Sequence, residues 1–174
     1  VEDITLSVAQ YIESRNIELI FDTEIEEKII ACDPDKIERM MLNLLSNAIK
    51  YTPAGGQILV KIYIKADNLI ISVRDTGVGI PEEMKLMIFD RFVQVDRTSS
   101  RVNEGSGIGL SIVKGLVELH DGSIYLESEL GKGTEFIIEL PDRQINCEYM
   151  KEAAVAKDQQ HVEKISIEFS DIYD

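Results

Sequence analysis

Apolar and polar residues alternate along the chain with two periods, and the changes of period mark its elements. Ile4, Val8, Tyr11 and Ile12 recur at helical spacing and predict an opening amphipathic helix. "IELIF" follows as a short strand. "CDPDKIERMMLNLLSNAIKYTPAGG" predicts a helix with Asp33 as N-cap, Pro34 in its first turn, and Pro53 with Gly55-Gly56 as its stop. "QILVKIYIK" and "LIISVRD" read as paired strands, and "ADN" between them suits a hairpin turn, although it lacks the strong Asn-Gly signal. "TGVGIPEEMKLMIFDRF" reads as a loop followed by short helical turns. "VQVDRTSSRVNEGSG" is polar and rich in Ser, Arg and Gly, which predicts a mobile loop. "IGLSIVKGLVELH" is a helix, and "GSIYLESE" and "TEFIIELP" are strands joined by "LGKG".

This order of elements predicts an α+β fold: a two-layer sandwich with a mixed sheet of about five strands and helices on one face. After Pro141 the pattern changes. "DRQINCEYMKEAAVAKDQQHVEK" suits a linker or weak helix, and "ISIEFSDIY" alternates like a strand. The expected organisation is therefore one domain over residues 1–141 and a tail over 142–174 that docks on the domain or on a partner.

Composition narrows the function. The 174 residues are 44% hydrophobic, enough for one sizeable core. No apolar run reaches the length of about 18 residues that spans a bilayer, and the start has no signal-peptide pattern, so the expectation is a soluble piece. The absence of an initiator Met suggests an excised fragment. Cys32 and Cys147 match no metal or disulfide spacing, which suits thiols in a reducing compartment. A net charge of −14 argues against a nucleic-acid partner. A polyanionic small ligand needs only a few local cations and aimed N–H groups.

Three constellations could carry chemistry. On the long helix, Ile37, Met41, Leu44, Leu45 and Ala48 form the apolar face, while Asn43, Asn47 and Lys50 share another stripe. That stripe suits a solvated face. An Asn oxygen is also a neutral hard donor that suits Mg²⁺, which takes one or two protein oxygens when phosphates supply the rest. In "LIISVRDTGVGIP", Asp75 continues the phase of Leu69, Ile71 and Val73, so its carboxylate points to the core side. It either caps the next turn or, if buried, needs donors such as a heterocycle's amino group. Gly77 and Gly79 let backbone approach a flat ligand. "GSGIG", Gly105 to Gly109, is neither a dinucleotide fingerprint nor a Walker loop, but it can aim N–H groups and a helix N-terminus at an anion.

Together, "NLLSNAIKY", "DTGVGIP", "IFDRF" and "GSGIGLSIVKGLVELHDGSI" in this order resemble the catalytic, ATP-binding domain of sensor histidine kinases. These belong to the superfamily that also holds DNA gyrase and mismatch-repair ATPases. The resemblance spans about Val1 to Pro141. It implies a mixed sheet covered by three helices, Mg-ATP as cofactor and a flexible lid from about Asp96 to Glu104. It assigns Asn47 to Mg²⁺, with Asn43 and Lys50 near the phosphates and Tyr51 beside the nucleotide. Asp75 accepts the adenine amino group, and Gly77, Gly79 and Ile80 line the base pocket. Gly105, Gly107, Ile108, Gly109 and Leu110 form the phosphate side at the lid hinge. Phe89 and Phe92 are expected as anchors. Arg91 is the candidate phosphate contact; some relatives carry an Arg where this chain has Gln94, so Arg97 and Arg101 are alternatives.

Position 43 separates kinase from hydrolase. Gyrase-like ATPases place a Glu there to activate water, and the amide of Asn43 cannot take up a proton. The expected activity is phosphoryl donation to a His on a separate helical dimerisation domain, with a response-regulator receiver domain downstream. The chain's own His120 is expected to be structural and His161 solvated. The resemblance implies a cytoplasmic location, in a parent protein that could be membrane-anchored. A gyrase-like ATPase and a non-catalytic module retaining the fold are the alternatives.

Overall fold

The computed structural model describes residues 1–26, 28–93 and 107–142. The expected lid, Gln94, Arg97, Arg101, Gly105, Cys147, His161 and the tail from residue 143 lie outside the described residues.

Five strands form one mixed sheet in the order β1-β2-β3-β5-β4. They are β1 (Glu18–Thr23), β2 (Gln57–Lys65), β3 (Asn68–Asp75), β4 (Ser123–Glu129) and β5 (Gly133–Pro141). β1 and β2 run parallel, which requires a crossover, and the helix α3 (Pro34–Tyr51) supplies it. The other pairs are antiparallel. The β2–β3 hairpin turns on Ala66 and Asp67, with φ of 48° and 65°. Two consecutive left-handed residues are the geometry that Asn-Gly would favour, here adopted without glycine.

α3 begins and ends for local reasons. The Asp33 side chain accepts from the N–H groups of Asp35 (3.0 Å) and Lys36 (3.4 Å) and pairs with the Lys36 ammonium. That ammonium holds the Asp33 carboxyl below its usual range. At the other end the Thr52 N–H (3.0 Å) and hydroxyl (2.6 Å) both donate to the Ala48 carbonyl, so the helix stops before Pro53.

The core lies between this helix, α4 (Gly109–Leu119) and one sheet face. Met41, Leu44 and Leu45 are fully enclosed with Ile58, Val60, Ile71, Val73 and Ile138, and Val113 and Val117 join them from α4. Truncating one such leucine to alanine costs about 2–5 kcal/mol. The opposite sheet face carries charge, as in the Asp22–Lys61 pair at 3.3 Å.

The opening segment departs from expectation. It is two six-residue helices, α1 (Glu2–Ser7) and α2 (Ala9–Ser14), parted at Val8. The Thr5 hydroxyl donates to the Val1 carbonyl and the Ser7 hydroxyl to the Ile4 carbonyl. Such back-bonds bend helices. Ile4, Val8 and Ile12 remain buried, so the apolar stripe survives the break. Counted as one bent arm, α1–α2 completes a layer of three helices on one face. Among the described residues no helix is long and apolar enough to cross a membrane.

Candidate functional site

The loop after β3 meets the end of α3, where the Val78 N–H reaches the Tyr51 carbonyl, and the start of α4 meets α3 at Asn43. Asp75 ends β3 in phase with Val73 and is 5% exposed. Its Oδ1 accepts from the Gly77 N–H at 2.8 Å, the turn-capping role that the sequence also allowed. Burial pushes the carboxyl up from its usual value, and the backbone N–H groups of Gly77 and Thr134 pull against that shift.

Beyond Asp75 the loop folds back over α3. The Val78 N–H donates to the Tyr51 carbonyl at 3.3 Å. A side chain at Gly77 would collide with that carbonyl. Gly79 holds φ at 71°, and a Cβ there would run into the Glu129 carbonyl, so only glycine fits. Ile80 follows, half-buried against the core, with its N–H on the Ser128 hydroxyl at 2.8 Å.

Asn43, Asn47 and Lys50 all lie on α3. Asn43 is 9% exposed and Asn47 and Lys50 are half-buried. The Asn43 amide nitrogen donates to the Arg39 carbonyl at 2.9 Å. Its oxygen faces Gly109, the first residue of α4, where an added Cβ would sit 2.5 Å away. The Lys50 ammonium lies 5.4 Å from the Tyr51 ring centroid. α4 starts at Gly109, and its N-cap, Ile108, makes no side-chain cap hydrogen bond among the described residues. Leu110 packs on the core.

The phenylalanines of "IFDRF" separate. Phe89 packs edge-on against Phe136, ring centroids 6.3 Å apart, as an anchor should. Phe92 corrects the expectation: its side chain is 73% exposed, and its backbone is left-handed, with φ 65°. Its N–H bonds the Gly107 carbonyl at 2.9 Å. Arg91 is exposed and makes no ion pair among the described residues. His120 is structural in form, with Nε2 accepting from the Asp33 N–H at 3.1 Å and Nδ1 2.8 Å from the Leu116 carbonyl.

Two residues were missed by the sequence reading. Thr134 is the cross-strand neighbour of Asp75 and is 5% exposed, and Ser128 is the neighbour of Thr134. Both continue the core-facing phase of their strands, the same signal that picked out Asp75. Register alone brings them beside it.

A mixed five-stranded sheet under a layer of three helices is the fold of histidine-kinase catalytic domains. The family model for histidine kinase-, DNA gyrase B-, and HSP90-like ATPases matches residues 32–144, and the chain belongs to that family. It is 36% identical over 131 residues to the circadian input-output histidine kinase CikA of Synechococcus elongatus, covering 74% of this chain and 17% of that protein. It is 37% identical over 132 residues to the sensor histidine kinase WalK of Bacillus subtilis, covering 75% of this chain and 22% of that protein. The chain thus spans about a fifth of these relatives. Among solved structures, the catalytic domain of histidine kinase ThkA superposes with a TM-score of 0.71 at 30% identity, covering 82% of this chain and 90% of that one. Full-length ShkA in complex with AMPPNP gives 0.73 at 28% identity, covering 83% and 29%. ThkA in complex with the response regulator TrrA gives 0.67 at 29%, covering 81% and 39%.

Proposed function

We propose that this domain binds Mg-ATP and donates the γ-phosphoryl group to a His on a separate helical dimerisation domain of the same sensor kinase. A response-regulator receiver domain is the onward acceptor. The observation that carries the reading is Asp75: a buried carboxylate that ends β3, followed by a loop whose Val78 N–H bonds the Tyr51 carbonyl at the end of α3.

The base would sit against Asp75, Gly77, Gly79 and Ile80, its amino group donating to the carboxylate. Tyr51 would flank it. The phosphates would lie between Lys50 and the start of α4. Mg²⁺ fits the donor set, because the Asn47 amide supplies a neutral hard oxygen and the phosphates complete the shell. When bound, the ion would neutralise charge on the transferring group. Arg91, together with arginines outside the described residues, is left as a candidate for the γ-phosphate. Asn43 cannot act as a base, so the domain holds ATP until an acceptor arrives.

The test is transfer of labelled phosphate from ATP to a helical acceptor domain of the same full-length protein, alongside calorimetric titration of this chain with Mg-ATP. Binding with acid-labile phosphate on the acceptor is expected. Steady ATP turnover without an acceptor would favour the gyrase-like hydrolase instead, and no nucleotide binding would end both enzymatic readings.

A further inference from the structure

Asp75, Thr134 and Ser128 stand in one row across β3, β5 and β4, on the helix-facing side of the sheet. The Ser128 hydroxyl has three polar neighbours. It donates to the Gly133 carbonyl at 2.9 Å, it accepts from the Ile80 N–H at 2.8 Å, and the Thr134 hydroxyl is 3.0 Å away.

The direction of the last bond follows from counting. A serine hydroxyl has one proton and two lone pairs. Its one proton goes to the Gly133 carbonyl, the bond at 2.9 Å. An amide N–H can only donate, so Ile80 takes one lone pair. Thr134 must therefore donate to the remaining lone pair. Its own proton is then used, and its oxygen offers only lone pairs to the space beside Asp75.

We propose that Ser128 is a positioning residue for base selectivity: by holding Thr134 as a donor to itself, it makes the Asp75–Thr134 pair an edge of acceptors only. Such an edge takes a heterocycle's exocyclic amino group and rejects an oxo group, whose lone pairs would face acceptors in a buried site. The inference rests on the reading that Asp75 meets the base, and adds how the neighbouring hydroxyl is oriented. Without Ser128 the Thr134 proton is released, can turn toward the ligand and can meet an oxo oxygen.

The test compares Mg-ATP with Mg-inosine triphosphate, which carries an oxo group in place of the amino group and an N–H in place of the N1 lone pair. Dissociation constants are measured for the chain and for Ser128→Ala, Ser128→Cys and Ser128→Thr. Wild type should prefer ATP strongly. Ser128→Ala should narrow that preference by about tenfold, on the scale of one misdirected hydrogen bond. Ser128→Cys should narrow it too, since a thiol is a weak acceptor, and it keeps the test open if the alanine variant does not fold. Ser128→Thr should restore the preference. Releasing the Ile80 N–H weakens both nucleotides alike, so the ratio is the reading a scaffold role would not move. Equal weakening of both nucleotides, with the ratio kept in the Ala and Cys variants, would overturn the proposal. Wild-type protein that binds both nucleotides equally would instead sink the base-binding role of Asp75 itself.

Discussion

Asp75→Asn replaces an oxygen by an NH₂ group in a carboxyl to which two backbone N–H groups donate. The Gly77 N–H is 2.8 Å from Oδ1, and the Thr134 N–H also faces the carboxyl. The variant can keep its oxygen toward Gly77, but then presents a donor where the proposed adenine amino group also donates. The loss is that of a hydrogen bond to a charged acceptor, about 1.5–3 kcal/mol. At about 1.4 kcal/mol per tenfold, Mg-ATP affinity should fall by about 10- to 150-fold. The same substitution has an opposite effect on the free protein. Burial raises the Asp75 pKa, so the folded state holds this proton more tightly than the unfolded chain. The contribution of the group to stability is fully present below the unfolded value and is lost as pH rises through the raised one. Asn has no proton to lose. Urea unfolding of the ligand-free proteins over a pH series should therefore show wild type losing ground to the variant as pH climbs through that window. Parallel pH profiles would refute the buried-charge argument, and unchanged calorimetric affinity would refute the adenine role.

Three further outcomes follow from the geometry. Gly109→Ala would press a methyl against the Asn43 oxygen, so Mg-ATP affinity should drop about tenfold for a misplaced polar contact, while the urea midpoint stays near wild type because alanine suits a helix; wild-type affinity would show that Asn43 has room to move. His120→Ala leaves the Asp33 N–H without its acceptor and should cost about 1–3 kcal/mol by urea denaturation; an unchanged midpoint would mean the contact adds nothing. Asp33→Ala removes the α3 cap and should cost about 0.5–2 kcal/mol at neutral pH. Its carboxyl is held low, first by Lys36, so this stabilisation should vanish as pH falls through the lowered value, and variant and wild type should converge in acid.

Most elements were legible because local rules and tertiary demands agree. α3 has its cap, its apolar stripe and its stop within its own sequence, and it forms from Pro34 to Tyr51. Asp75 was legible by phase alone. The break at Val8 was not, because hydrophobic spacing reports which side is buried, and that is unchanged when side-chain hydroxyls bend the helix. The hairpin at Ala66-Asp67 was readable as a turn but not as a left-handed pair, which the strand register imposes on residues with no preference for it. Thr134 and Ser128 followed the core phase of strands that start far from Asp75 in sequence. A phase identifies the face, and only register identifies the neighbour. Phe92 shows the limit of a motif: its place in "IFDRF" was readable, but its left-handed backbone, exposed ring and bond to Gly107 were not.

The two halves of the proposed pocket rest on different parts of the fold. The base half is carried by the sheet, through the row Asp75–Thr134–Ser128 and the Ser128 bond to Ile80. The phosphate half is carried by helices, where Gly109 lets the start of α4 touch Asn43 on α3. They meet at the Tyr51 carbonyl, which closes α3 and accepts the Val78 N–H of the base loop. A nucleotide spanning both halves would then bind a preassembled base site and a phosphate site whose two walls are already in contact. That arrangement suits holding ATP more than hydrolysing it, because the residue at the helix contact is an amide whose nitrogen is committed to the Arg39 carbonyl. A Glu at position 43 would set a carboxylate against the same Gly109 contact, adding a base and a charge beside the phosphates at once. The kinase reading therefore turns on one side chain that this packing holds in place.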